Sequence, residues 1–268
     1  MPAIDLTRLK MQSAKLINLY DRPIDFLHHL ENVLEYYRNR TLRVDPVSIK
    51  SDLPSYQTPR PVIQQIENDL EKLGEQSPSA AVELVISLWN ASIFESRLLS
   101  AFILGTIPPS AAMSVLTNLP DWLYETRDQN IKNALLTSAL ARLRKENPRI
   151  LLMLISEWLQ APGQKTQTWG LHAFIPLIEL LGYNDLPQFF EVLRPTIEAV
   201  SPNTQNDIQA CIRKLYSISS AETVHYISEI INRMKGSTNI REFLRLIRGF
   251  PSEMQKELDT EIKKLVQS

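Results

Sequence analysis

Proline in this chain falls mainly where helices begin, and glycine where they end. Pro108, Pro120, Pro148, Pro202 and Pro251 each open an amphipathic run, and Gly74, Gly105, Gly182 and Gly236 each close one. Proline suits a first helical turn because its missing N–H has no partner there anyway. Glycine suits the residue past the end because it tolerates a left-handed cap. Repeated down the chain, this punctuation describes a series of short antiparallel helices and leaves no room for a sheet.

Apolar spacing supports the same reading. The period predicts helices over 4–19 and 23–38, then over 61–73, 78–90, 93–104, 109–118, 128–146, 148–160, 166–181, 187–199, 203–218, 221–235, 239–249 and 252–266. Most links between them are short, as between antiparallel neighbours. Pro46, Pro54, Pro59 and Pro61 interrupt any helical period between the second and third runs. Residues 39–60 therefore read as a proline-rich linker or long loop. The expected organisation is an N-terminal helical hairpin over 1–38, the linker over 39–60, and a helical-repeat domain over 61–268.

Burial is expected to be uneven. The segments RILLMLISEWLQ and WGLHAFIPLIELL are apolar on nearly every side, so they are expected to be packed on several sides. Charge returns towards both ends, in ENDLEKLGEQ and EMQKELDTEIKKL. A stack of helix pairs needs polar terminal units, because their outer faces meet water. The spacing is about 35–45 residues per pair, which suits HEAT-like units. The fold class is therefore all-α, an α-solenoid or superhelix of HEAT-like antiparallel helix pairs.

Bulk composition narrows the function classes. Net charge is −1 over 268 residues, so any nucleic-acid contact requires a local basic surface. Cys211 is the one cysteine, which excludes an internal disulfide and a zinc-ligand spacing. Its neighbours Ile208, Ile212 and Leu215 mark it as a buried small hydrophobe. The start, MPAIDLTRLKMQ, is charged throughout and does not read as a secretory signal. The apolar run 150–155 is far too short to span a membrane. A cytoplasmic protein without metal, cofactor or membrane is expected. The phosphate-cradling, nucleophile-elbow and zinc-helix motifs are absent from the sequence.

Three stretches resemble the AlkD-type DNA alkylation repair proteins, which are built from HEAT-like helical pairs. LWNASIFESRLLSAFILG (88–105) is similar to that family's early motif, here Trp89, Glu95, Arg97 and Ala101. DWLYETRDQNIKNALLTSAL resembles its tryptophan–aspartate segment, and TWGLHAFIPLIELL its later tryptophan helix. The resemblance spans residues 60–250 and implies a basic groove for duplex DNA and excision of alkylated purines. Trp122 matches the first tryptophan. The family's aspartate position holds Thr126, with Asp128 two residues later. The arginine after the second tryptophan would fall at Leu171 or His172, and no tryptophan follows Trp169.

The candidate catalytic constellation is Trp122, Asp128 and His172. A glycosylase needs a carboxylate near the developing positive charge and aromatic faces for a cationic base. The alternative readings are structural. Asp128 would cap the following helix, Trp122 would pack between helices from a short turn, and His172 would be a hydrogen-bonded core histidine. Pro176 is expected to kink its helix.

Two basic groups are candidates for phosphate contacts. Arg241, Arg245 and Arg248 share one helix face, with Arg233 and Lys235 just before. Arg38, Arg40 and Arg43 follow Tyr36 and Tyr37, with Lys50 and Arg60 further on. A solvated helix face and a charged helix end are the alternatives. The adjacent His28 and His29 point about 100° apart on a helix and cannot share a metal.

The function expected from these readings is a non-catalytic HEAT-like binding or scaffold protein using a concave surface. Its partner is a protein or double-stranded DNA. The alternative is a DNA-binding protein or glycosylase of the AlkD type.

Overall fold

A computed structural model describes residues 5–38, 51–234 and 236–267. They are all-α, with no strand among the described residues. Two compact units divide the chain, Met1–Asn147 and Pro148–Ser268.

The first unit contains α1 (Leu6–Asn18), α2 (Pro23–Tyr36), α3 (Arg60–Leu70), α4 (Leu73–Gln76), α5 (Pro78–Asn90), α6 (Phe94–Leu104), α7 (Pro109–Leu116), α8 (Leu119–Glu125), α9 (Gln129–Thr137) and α10 (Ala141–Glu146). Helix α1 touches α3, α3 touches α6, and α6 touches α9. Beside them, α2 touches α5, α5 touches α7, and α7 touches α10. Most of the helices thus fall into two rows, cross-linked by α1 with α2 and by α5 with α6, while α4 touches α5 and α8 touches α9. The hairpin α1–α2 belongs to this unit. Of the linker 39–60, residues 39–50 lie outside the described residues, and 51–59 carry no helix.

The second unit contains α11 (Pro148–Gln160), α12 (Gln164–Leu181), a 3-10 turn (Gly182–Asp185), α13 (Leu186–Glu198), α14 (Gln205–Ile218), α15 (Ser220–Arg233), α16 (Ile240–Arg248) and α17 (Ser252–Gln267). The same pattern recurs. Helices α12, α14 and α16 form one row, and α11, α13, α15 and α17 the other.

Hydrogen bonds between successive pairs show the period directly. Arg142 reaches the Thr106 carbonyl, Gln164 accepts from Asn203, Gln209 reaches the Leu246 carbonyl, and Arg213 reaches the Gly249 carbonyl, at separations of 36, 39, 37 and 36 residues. These separations fall within the expected pair length.

The punctuation acts locally as its chemistry requires. Of the five prolines expected to open helices, Pro148 and Pro120 are first and second residues, Pro108 and Pro251 stand just before α7 and α17, and Pro202 lies in the turn ahead of α14. Pro23, Pro61, Pro78, Pro109 and Pro187 also lie at first or second positions. Gly182 and Gly236 adopt left-handed φ of 61° and 73° at helix ends. Gly105 closes α6 as expected, but at φ −71° rather than in a left-handed cap, and Gly74 closes no helix. Gly74 lies inside α4, where a Cβ would meet Thr106 at 2.1 Å. At Gly105 a Cβ would meet the Ser138 carbonyl at 1.8 Å. Both are glycine because the next pair presses against them, through the Thr106 side chain at Gly74 and the Ser138 carbonyl at Gly105.

Two other expectations are corrected. The helix expected over 128–146 is divided into α9 and α10. At the break, Ala139 N–H turns to the Ala134 carbonyl and Ala141 N–H to the Ser138 carbonyl, while Arg144 donates to the Thr137 carbonyl. The turn expected around Trp122 is the short helix α8. In α11, Leu151, Leu152, Ile155, Trp158 and Leu159 are buried, but Ile150 and Met153 stay exposed. That helix packs against α12 and α13 and leaves those two side chains to solvent.

Pro176 and Pro195 lie within α12 and α13, which run on through them. Proline removes one backbone donor and crowds the preceding turn. In each helix the carbonyl five residues earlier gains a donor from the next pair. The Cys211 thiol donates to the Leu171 carbonyl at 3.6 Å, and the Tyr226 hydroxyl to the Phe190 carbonyl at 2.8 Å. Burial pushes both the Cys211 thiol and the Tyr226 phenol far above their ordinary pKa ranges.

Candidate functional site

In the first unit, buried charge collects at one corner. Among the described residues the buried charged side chains are Glu95, Arg97 and Asp128. They come from the loops and first turns where α5 passes to α6 and α8 to α9. The corner is also where the backbone is strained. Gln57 and Ser92 are the non-glycine residues with positive φ among the described residues, at 52° and 55°. Such conformations cost of order 1 kcal/mol each and persist only where the surroundings hold them.

Its centre is aromatic. Trp89 ends α5, and its ring stacks on Trp122 of α8, with centroids 4.4 Å apart and planes 12° apart. The Arg97 guanidinium lies 4.3 Å from the Trp89 centroid. Two groups this close cannot share a face, so Trp89 is held between Arg97 and Trp122. Arg97 Nε also donates to the Trp89 carbonyl at 3.3 Å. Burial lowers the Arg97 pKa, and the nearby Glu125 carboxylate opposes that shift. The guanidinium remains charged, because arginine keeps its proton in proteins.

Beside this stack, Glu95 is 3% exposed and faces a segment that precedes it by about forty residues. Its carboxylate accepts from the Ser55 hydroxyl at 2.9 Å and from the N–H groups of Tyr56 and Thr58, each at 3.3 Å. The Phe94 N–H donates in return to the Pro54 carbonyl at 3.0 Å. Residues 51–59 thus lie as a strap across the first turn of α6. Asp52 extends it to Arg127, 3.8 Å away between α8 and α9. The Tyr56 phenol is raised by partial burial and by the carboxylates of Glu31, Glu35 and Glu95, against Arg38.

The sequence candidates are placed as follows. Asp128 N-caps α9, its Oδ1 accepting from Asn130 N–H at 2.8 Å and Ile131 N–H at 3.3 Å. Trp122 is 7% exposed, with one face on Trp89. Thr126, at the position of the family's aspartate, is also buried. His172 belongs to the second unit, where its Nε2 lies 3.0 Å from Asp207 in the first turn of α14. Ala101 and Trp169 are buried.

Arg241, Arg245 and Arg248 are exposed along α16, with Arg245 paired to Glu242 at 2.7 Å. Arg248 also lines a shallow groove of about 520 Å³ with Leu244, Ile247, Lys256 and Asp259. Arg233 is exposed at the end of α15. Arg38 is exposed and pairs with Glu35. Arg40, Arg43, Lys50 and Lys235 lie outside the described residues. His29 Nε2 lies 3.3 Å from the Gln12 carbonyl and ties α2 to α1. Among the described residues no group of three or more His, Cys, Asp or Glu is placed to hold a metal ion. No described helix is long and apolar enough to cross a membrane.

Sequence reasoning singles out Trp89, Glu95, Arg97 and Trp122, and the structure brings them together. It misses Ser55, Tyr56, Gln57 and Thr58. The proline-rich stretch around them carries no period, and nothing local announces a partner forty residues on. Compared with protein-family models, curated proteins and solved structures, the chain matches none.

Proposed function

We propose that the protein is a non-catalytic binding or scaffold protein of HEAT-like construction, holding a protein or nucleic-acid partner on side chains presented by successive helix pairs. Stacked pairs suit this task because each adds a similar strip of surface. One observation carries the reading: the aromatic and acidic groups that base excision would require are used inside the fold. A glycosylase holds an extruded base against open aromatic faces beside an available carboxylate. Here Trp122 is stacked on Trp89, and the Asp128 carboxylate holds two N–H groups of α9. A cytoplasmic setting fits a chain with a single, buried thiol.

The exposed Arg241, Arg245 and Arg248 favour a second reading, a DNA-binding protein or glycosylase of the AlkD type. Incubation with methylated duplex DNA separates the two. The binding reading expects no released alkylated purine above the protein-free control. Release that vanishes in Asp128→Asn would overturn it. Duplex binding across a salt series adds the phosphate count, since each neutralised phosphate contributes about −0.9 to the log–log slope.

A further inference from the structure

We propose that the corner at Glu95 is a binding site for an extended polypeptide segment, and that residues 53–58 fill it as a tethered occupant. This rests on the binding reading above and names the partner's chemistry. The strap is held as a bound peptide is held. Two main-chain N–H groups and one hydroxyl enter a buried carboxylate, and one main-chain carbonyl receives the Phe94 N–H. No residue of 51–59 is itself buried, although the carboxylate beneath them is. The strap is therefore fastened by polar contacts rather than by apolar side chains in the core.

Its fit is also imperfect. Gln57 is held at positive φ, with its N–H on the Ser55 hydroxyl oxygen at 3.0 Å. The seat beneath has a second strained residue, Ser92, at the turn that precedes α6. The hydroxyls of Thr58 and Ser96 are buried without a hydrogen-bond partner. Strain and unmet hydroxyls at the same contact make the strap costlier to seat than a segment without them would be.

The seat specifies its ligand. A carboxylate that takes three donors requires a Ser or Thr hydroxyl followed by free N–H groups one and three residues later, so proline is excluded at those two places. An anionic group on the hydroxyl is excluded by charge. Arg127 favours an acidic residue three positions before the hydroxyl, as Asp52 stands before Ser55.

The test uses the full chain with residues 53–58 replaced by a Gly/Ser run of equal length. The probe is a fluorescent synthetic peptide of residues 51–60, followed by anisotropy. The replaced chain binds the peptide at least about tenfold more tightly than the unmodified chain, whose own strap competes at the high effective concentration of a tether. Adding Glu95→Gln to the replaced chain weakens binding at least about tenfold, because the charged acceptor is lost. A peptide phosphorylated at the serine does not bind. The proposal is overturned if the replaced chain keeps its helical circular dichroism but ignores the peptide, or if Glu95→Gln leaves binding unchanged. Loss of folding on replacing the strap overturns it as well, since the segment would then be part of the core structure. The purine-release assay involves no peptide, so it decides the binding reading separately.

Discussion

Arg97 makes three contacts from one side chain: the Trp89 ring, the Trp89 carbonyl and the field of Glu125. Truncating it uncovers one face of Trp89 and leaves a buried carbonyl without its side-chain donor. Arg97→Ala is expected to lower stability by about 2–4 kcal/mol, read from the urea midpoint. Arg97→Lys recovers only part of this, because an ammonium lacks the planar fork that stacks and donates together. Asp128 offers a sharper distinction between its two readings. As a cap, Asp128→Ala costs about 1 kcal/mol while Asp128→Asn stays within a few tenths, since asparagine caps equally well. A thermal melt of both variants checks this, and equal losses in the two would show that the carboxylate's charge matters for more than capping. These residues are partly legible in the sequence. The family resemblance, rather than any spacing rule, marks Trp89, Glu95 and Arg97, and Asp128 stands where a helix start needs a cap. Their partners are not legible, because Ser55 and Asp207 lie 40 and 35 residues from Glu95 and His172. Periodicity informs a single element and is silent about contacts between elements.

At the scale of elements, proline locates most helix starts because its constraint is local and needs no tertiary help. The break between α9 and α10 has no such signal: TSALARL contains neither proline nor glycine. At this break the Ser138 carbonyl approaches Gly105, one pair earlier, to where a Cβ would stand. Gly74 does the same for Thr106, so glycine sets the closeness of successive pairs. Gly105→Ala is therefore expected to destabilise by about 2–3 kcal/mol, the range for forcing an extra carbon into packed backbone. Gly236→Ala supplies the contrast. It meets nothing within 4 Å and carries only the strain of φ 73°, so about 1 kcal/mol is expected. Chemical denaturation of the two variants side by side checks the order, and a larger loss at Gly236 would show that Gly105 does not set the spacing.

At the scale of the whole chain, the two units carry separate reporters and different buried acids. Cys211, the one cysteine, is fully buried in Pro148–Ser268, so its reaction with a thiol reagent reports opening of that unit. The stacked Trp89–Trp122 pair reports on Met1–Asn147 through near-ultraviolet circular dichroism, with Trp122→Phe identifying its share. Burial raises the Cys211 thiol and the Tyr216 and Tyr226 phenols in the second unit, and the Tyr20, Tyr37 and Tyr56 phenols in the first. Each group folds in its neutral form and ionises more readily once unfolded. Its contribution is therefore intact below its ordinary range and is lost progressively above it, from about pH 8.5 for the thiol and about pH 10 for the phenols, up to the raised folded value. Between those two onsets only Cys211 contributes, and it removes about 1.4 kcal/mol per pH unit from the second unit alone. Urea titrations at stepped alkaline pH should thus show the Cys211 midpoint falling faster than the tryptophan-pair midpoint. The two signals should separate as pH rises even if they coincide at pH 7. Midpoints that fall together across the whole alkaline range would mean that the units unfold as one body.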